Sequence, residues 1–272
     1  MSRSRRLLAI LAHPDDETLG VGGVLADCAA RGIETYLLTA TRGQAGRYRG
    51  KREGDGGEHP GRAALATIRE KELRAAAATL GVHEVTLLDY EDGLLDQADP
   101  GTVVGRIASE IRRVRPEVVI TFSPDGGYGH PDHIAISQFA GTAIVVAAHA
   151  DDAAHPRHAV SKFYFMASSE QDWEVYQAAF KKLTSRVDGV ERGARPWPDW
   201  AITTVVDTSA HGETVWKAVF CHDSQVAGYD HLRQLPPGRR DTIWGRQSFY
   251  RVFSTVNGGR RRETDLFEGI EP

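Results

Sequence analysis

Positions 12–23, "AHPDDETLGVGG", set a histidine, two adjacent aspartates and a glutamate directly after an apolar run. His13 and Asp16 stand three residues apart with Pro14 stiffening the bend between them, so an imidazole nitrogen and a carboxylate oxygen can turn toward one centre. Asp15 then faces elsewhere, which supplies a metal ligand pair and a separate base from neighbouring positions. A second cluster, "SPDGGYGHPDH" at positions 123–133, contains His130, Asp132 and His133. One ligand from it completes the three protein ligands that a catalytic zinc keeps while leaving a position for water. The spacing does not choose between His130 and His133 for that place. Neutral imidazoles with one carboxylate suit Zn²⁺, and Fe²⁺ uses a similar set.

These clusters can act together only if the fold brings them to one place. Short apolar runs, "RLLAILA", "IETYLLTA", "EVTLLDY" and "EVVITFS", alternate with the helical patterns "LGVGGVLADCAARG", "AALATIREKELRAAAATLG" and "TVVGRIASEIRRVRP". That alternation predicts an α/β fold, a Rossmann-like and mostly parallel sheet with helices on both faces. Gly32, Gly81 and Pro116 punctuate the helix ends. Each cluster follows a strand, so both fall at the carboxyl edge of the sheet, where open α/β sheets bind ligands. After Val160 the pattern loosens: "SKFYFMAS" and "WAITTVVDTS" read as strands, "GETVWKAVFCHDSQ" as a helix running into a loop, and "GARPWPDW" as a turn-rich loop. No linker divides the chain. We expect one domain over 1–272, with residues 1–160 as the Rossmann-like core that carries the metal site and 161–272 as an irregular α/β extension of it.

Composition narrows the partners. A formal charge of -4 gives no electrostatic footprint for nucleic acid or an acidic membrane, and neither is expected as a partner. Two cysteines, Cys28 and Cys221, make neither a disulfide framework nor a thiolate zinc cluster. The apolar run after "MSRSRR" is too short for a signal segment, and the longest apolar stretch, "IAISQFAGTAIVVAAHA", has polar breaks and falls short of a membrane span. A cytoplasmic location is expected. A dinucleotide cofactor is not: Gly20, Gly22 and Gly23 do not spell G-x-G-x-x-G, and the aspartates before them would repel a pyrophosphate. Those glycines instead let the following helix pack closely.

"AHPDDE" followed by a helix, with "GHPDH" after a later strand, resembles the PIG-L or LmbE-like family of zinc-dependent de-N-acetylases. The resemblance covers the first half to two-thirds of the chain. It implies zinc ligands His13, Asp16 and His133, with Asp15 as general base. It also implies that His130 assists the oxyanion or the leaving amine and that Asp132 orients a histidine from behind. Tyr128 matches a position where some relatives carry a mobile tyrosine near the substrate carbonyl. "CHDSQ", from Cys221 to Gln225, resembles an H-x-S-Q segment of many relatives, read here either as a brace for the rim of the site or as a substrate contact. Related proteins are often oligomers, which leaves a homo-oligomer open.

The implied reaction is hydrolysis of an N-acetylated amino sugar or sugar conjugate, a small-molecule substrate, to acetate and a free amine. The alternatives are another amide such as a thiol-sugar conjugate, a phosphoester, or a non-catalytic metal-dependent carbohydrate-binding protein. Retention of Asp15, a carboxylate not needed to hold metal, speaks against the last. The glycine-rich, charged loop between Thr41 and Ala63 is the expected specificity element. Arg42, Arg47 and Tyr48 are its candidate substrate-binding residues. Arg49, Lys51, Arg52 and Arg62 add positive charge for an acidic group, diluted by Glu53, Asp55 and Glu58. Trp197 and Trp200 are read as structural plugs or as stacking surfaces for a sugar. The segment "YDHLRQLPPGRRDTIWGRQSFYRVF" carries no functional motif; its Arg246, Phe249 and Tyr250 suggest a final strand or an oligomer contact.

Overall fold

The computed structural model describes residues 4–149, 151–152, 154–179, 184–187, 189–226 and 243–271. The stretch 229–242 at the start of that final motif-free segment therefore lies outside the described residues. The chain opens with β1 (Arg6–Leu11), α1 (Asp16–Ala30), β2 (Glu34–Thr41), α2 (Arg62–Leu80), β3 (Glu84–Tyr90), α3 (Pro100–Val114) and β4 (Val118–Thr121). A short distorted turn of helix, α4 (Gly126–Gly129), leads into α5 (Pro131–His149) and β5 (Lys162–Met166). There follow α6 (Glu170–Ala179), a hairpin of β6 (Thr184–Val187) and β7 (Val190–Gly193), then β8 (Thr204–Asp207), α7 (Gly212–Val219), α8 (Asp223–Val226) and β9 (Arg246–Ser254).

Among the described residues, seven strands form one sheet in the order β3-β2-β1-β4-β5-β9-β8. The pairings from β3 to β5 are parallel, and β9 runs antiparallel to both β5 and β8. The expected mostly parallel sheet is therefore present, and strands from the second half of the chain extend it. From β1 the chain steps outward through β2 to β3, then returns to lay β4 on the other side of β1. Right-handed crossovers in opposite directions put their helices on opposite faces. Accordingly α1 and α2 lie together with α7, while α3 packs against α5. With both faces covered, Leu7 to Leu11 and Val118 to Ile120 have no exposed surface, which is why these strands read as continuous apolar runs.

Local signals explain the boundaries. Asp99 caps α3 by accepting from the Thr102 amide at 2.7 Å, with Pro100 in the first turn. That helix stops at Val114, before Pro116, with Arg115 in the left-handed region. α2 ends on Gly81 at φ 76°. A methyl group on Gly23 would stand 2.7 Å from Thr208 Oγ1, so the glycine cluster does permit close packing of α1. The β6–β7 hairpin escapes a sequence reading because "TSRV" and "VERG" lack an apolar face. No helix among the described residues is long and apolar enough to cross a membrane.

Candidate active site

The two charged clusters meet where the strand order reverses. β1 and β4 are neighbours, and the loops leaving their carboxyl ends carry His13–Asp16 and Ser123–His133 into one crevice. His13 Nδ1 lies 3.1 Å from His133 Nε2. Asp16 lies beside both, Oδ2 at 3.7 Å from His13 Nδ1 and Oδ1 at 3.5 Å from His133 Nε2. Donor atoms bound to four-coordinate zinc at about 2.0–2.2 Å would stand about 3.3–3.6 Å apart. These separations are close to that, with Asp16 turning a different oxygen to each histidine, and the donor atoms of His13, His130 and His133 also lie within 4.8 Å of one another, as do those of His13, Asp92 and Asp132.

The surrounding hydrogen bonds orient the triangle. His133 Nδ1 faces the Gly126 carbonyl at 3.1 Å, which can only accept, so the proton belongs on Nδ1 and the Nε2 lone pair is free. His13 Nε2 faces Asp132 Oδ2 at 3.0 Å and Asp92 Oδ1 at 3.1 Å, so its proton belongs there and Nδ1 points into the cluster. Two imidazole lone pairs and a carboxylate thus converge, and only positive charge suits the space between them. Burial opposes charge on His13, yet the Asp132 and Asp92 hydrogen bonds raise its pKa to about 10, which holds a proton in the cluster that a metal would displace. Burial drives His133 well below its ordinary value, with His13 and His130 adding to the shift. It lifts the Asp16 carboxyl to about 7 against the pull of His13.

Asp132 is the best-anchored carboxylate of the site. It is fully buried and accepts from the Gly93 amide at 2.7 Å and the Leu95 amide at 3.0 Å besides His13. These bonds overcome burial and hold its pKa below the usual carboxylate range. It thus stands behind His13. His130 sits at the edge of the cluster, its ring centroid 4.8 Å from those of both His13 and His133. Burial and the nearby His13 lower its pKa to about 4. Tyr128 rides on α4, where Gly127 at φ 75° breaks the helix, and its ring centroid lies 5.1 Å from that of His133.

Asp15 turns away from the triangle, as its spacing required, toward Arg69, whose Nη2 lies 3.1 Å from Asp15 Oδ2. Arg69 is fixed in turn by the carbonyls of Gly43, at 2.8 Å, and Pro14. Burial raises the Asp15 pKa, with Arg69 and His222 opposing the shift. Asp15, Asp16 and His133 line a cavity together with Gly20, Phe122, Tyr128, Asp172, Trp173, Trp197 and Arg246.

Some expected residues lie elsewhere. Arg42 bonds to Glu70 and, at 2.5 Å, to Asp89, and neither it nor Arg47 nor Tyr48 lines this cavity. Arg47 donates to the Gly50 carbonyl within its own loop, and Tyr48 packs near His59. Trp197 does line the cavity, whereas Trp200 is 87% exposed. Phe249, Tyr250 and Arg246 belong to β9. Two residues of the site escaped the sequence reading, Asp92 and Arg69. Both had a signal: Asp92 follows β3 at the same sheet edge, and Arg69 is a charge on the core-facing stripe of α2, between Leu65 and Leu73.

Residues 8–144 match the PIG-L family, described as GlcNAc-PI de-N-acetylase. The chain is 33% identical to a 1D-myo-inositol 2-acetamido-2-deoxy-alpha-D-glucopyranoside deacetylase of Kineococcus radiotolerans, over 100% of this chain and 85% of the relative. Two solved structures share the fold: N,N'-diacetylchitobiose deacetylase from Pyrococcus horikoshii (TM-score 0.65, 20% identity, 92% of this chain and 84% of that one) and the 4-carboxy-2-hydroxymuconate hydratase from Pseudomonas putida KT2440 (TM-score 0.66, 22% identity, 94% and 99%). Their named reactions differ, so this architecture alone does not select the chemistry.

Proposed function

The chain belongs to the PIG-L family of de-N-acetylases, and from that membership we propose that it removes the acetyl group from a 2-acetamido-2-deoxyglucopyranoside whose aglycone is a cyclitol such as myo-inositol. The observation that carries the reading is the convergence of His13 Nδ1, His133 Nε2 and Asp16 beside Asp15, which lines the same cavity. In this reading His13, Asp16 and His133 hold one divalent cation, with zinc as the ion of choice for two imidazoles and a carboxylate. Such a cation supplies Lewis acidity toward an amide carbonyl and makes water more acidic.

The protein's own groups supply the rest. Asp15 accepts the proton of the water that attacks the acetamide carbon. His130 and Tyr128, on the rim, stabilise negative charge on the carbonyl oxygen or serve the departing nitrogen. Asp132 and Asp92 hold His13 in the tautomer that presents Nδ1. Breaking the C–N bond delivers acetate and a free amine once one proton reaches that nitrogen. The aglycone meets the cavity residues Trp173 and Trp197, whose indoles offer flat apolar faces, and Asp172 and Arg246, which offer hydrogen bonds. Arg42, Arg47 and Tyr48 have no part in this reading. One domain, with β5 and β9 contributing to the walls of the cavity and α7 and α8 packed against α1 and α2, is the organisation it requires.

The deciding experiment is release of primary amine from the inositol glycoside and from free N-acetylglucosamine by zinc-loaded protein, with Asp15→Ala as control. We expect release from the glycoside, a lower kcat/KM on the free sugar, and loss of both in the control. No release from either substrate by protein that binds zinc would overturn the assignment.

A further inference from the structure

The H-x-S-Q segment has no part in the reaction as derived above, yet it reaches the site through two consecutive hydrogen bonds. His222 Nε2 lies 2.6 Å from Glu17 Oε1, and the other oxygen of Glu17, Oε2, accepts the backbone N–H of Asp15 at 2.9 Å. His222 is 2% exposed and Glu17 has no exposed surface. His222 ends the turn after α7, while Asp15 and Glu17 open α1, so residues more than two hundred positions apart share one contact.

What this contact holds is an unfavourable backbone. Asp15 has φ 109° and ψ -24°, a left-handed conformation that side-chain-bearing residues rarely adopt. Such a residue keeps its conformation only where its surroundings over-determine it. Here the Asp15 carbonyl accepts from Thr18 N at 3.2 Å, Thr18 Oγ1 at 2.9 Å and Leu19 N at 3.0 Å. That anchors one side of the residue and leaves its amide to Glu17. The backbone angle decides where the carboxylate points, because the Cα–Cβ bond turns with it. Glu17 can hold the amide only while its own carboxylate is fixed, and a buried carboxylate without a partner would rotate toward water or take up a proton. His222 supplies that partner.

The same segment steadies the opposite side. Ser224 donates to Glu72 through its amide at 2.7 Å and its hydroxyl at 2.6 Å. Glu72 lies on α2, three residues after Arg69, the group that grips the Asp15 carboxylate. One short segment therefore braces both the amide and the carboxylate of Asp15.

We propose that Glu17 and His222 form a positioning pair that holds Asp15 in its strained backbone conformation and so aims its carboxylate into the cavity. This rests on the reading of Asp15 as the base. Neither residue touches the substrate or the candidate metal ligands through its side chain, so their removal acts on turnover rather than on substrate or metal binding.

The test compares His222→Gln, whose amide can reach Glu17, with His222→Asn, one methylene shorter, alongside Glu17→Ala and Asp15→Ala. Readouts are kcat, KM, zinc content and melting temperature of the whole zinc-loaded protein. We expect His222→Asn and Glu17→Ala to lose about 10- to 100-fold in kcat, part of what a positioned base supplies. KM should stay within about twofold and one zinc should remain bound, and His222→Gln should recover most of the loss. In an Asp15→Ala background, Glu17→Ala should have no further effect on kcat, because the group it positions is gone. Equal kcat for the Asn and Gln variants, or an undiminished Glu17→Ala effect in the Asp15→Ala background, would overturn the proposal while leaving Asp15 as base. Wild-type turnover in Asp15→Ala alone would instead remove the base itself, and the pair's role with it. Should Glu17→Ala unfold, the Asn and Gln contrast at 222 still decides.

Discussion

His13 and His133 face each other across 3.1 Å, Nδ1 to Nε2, and each has its other ring nitrogen on an acceptor, Asp132 with Asp92 for His13 and the Gly126 carbonyl for His133. Neither ring can turn to relieve the approach without abandoning a buried hydrogen bond. The pair is therefore built around a positive charge, and the groups behind the rings fix how the rings present their nitrogens.

Asp132→Asn tests that. The amide keeps the shape but removes one of the two carboxylate charges opposite His13 Nε2, and changes of this kind behind a metal ligand cost about 10- to 100-fold in metal affinity. We expect zinc titration against a competing chelator to show a loss of that order, with His13→Ala losing more. Unaltered zinc affinity in Asp132→Asn would mean that the carboxylate does not set the His13 tautomer.

Asp15→Asn should separate chemistry from binding. The side chain can still accept from Arg69, but it can no longer take a proton. The expected result is a kcat lower by about 10²- to 10⁴-fold with KM and zinc content near wild type. A rise in KM with kcat preserved would recast Asp15 as a substrate contact.

Stability in acid should depend on Glu263, which is buried and bonded to Lys162 at 2.5 Å, Tyr164 at 2.7 Å, Thr204 at 2.7 Å and Arg251 at 2.7 Å. Burial would raise its pKa, but the hydrogen bonds from Lys162, Asn257, Tyr164 and Thr204 outweigh it and hold the value at about 2. A carboxyl depressed in the folded state contributes stability that is full above its unfolded pKa of about 4.5 and fades as pH falls toward 2. That contribution is about 3 kcal/mol. Urea unfolding of wild type should therefore weaken steeply between pH 4.5 and 2. Glu263→Gln, which leaves Lys162 and Arg251 underpaired, should be destabilised by about 3–5 kcal/mol at pH 7 and show a flatter acid limb. Parallel curves for the two proteins would exclude Glu263 as the titrating group.

Gly23→Ala probes the close approach of α1. A new methyl would stand 2.7 Å from Thr208 Oγ1 and 2.8 Å from Thr208 Cβ, inside contact distance of a buried residue. Overpacking of this kind costs about 1–3 kcal/mol, more than the gain in helix propensity returns. Thermal unfolding should register a lower Tm. An unchanged or higher Tm would show that Thr208 can move aside.

Much of the site was legible in the chain because it is local. His13, Asp15 and Asp16 share one turn, His130, Asp132 and His133 share another, and each group follows an apolar strand that a parallel sheet must bury on both faces. Spacing of that kind survives folding, since three residues cannot separate far whatever the rest of the molecule does. The charged Thr41–Ala63 loop showed the limit of the same reasoning. Its arginines look free in sequence, yet Arg42 is spent on Glu70 and Asp89, partners that only the packing of α2 and β3 supplies.

The sequence by itself determined the donor types, their grouping into two motifs and the alternation that makes a parallel sheet. Tertiary structure decided the rest: that β4 lies beside β1 so the motifs meet, that His133 rather than His130 turns its Nε2 to His13, and that Asp92, Arg69, Glu17 and His222 stand behind the two motifs. The physical reason is range. Residue type and short spacing limit what a segment can offer, but hydrogen bonds such as that between positions 17 and 222 exist only once the sheet has closed over its core and taken those polar groups out of water.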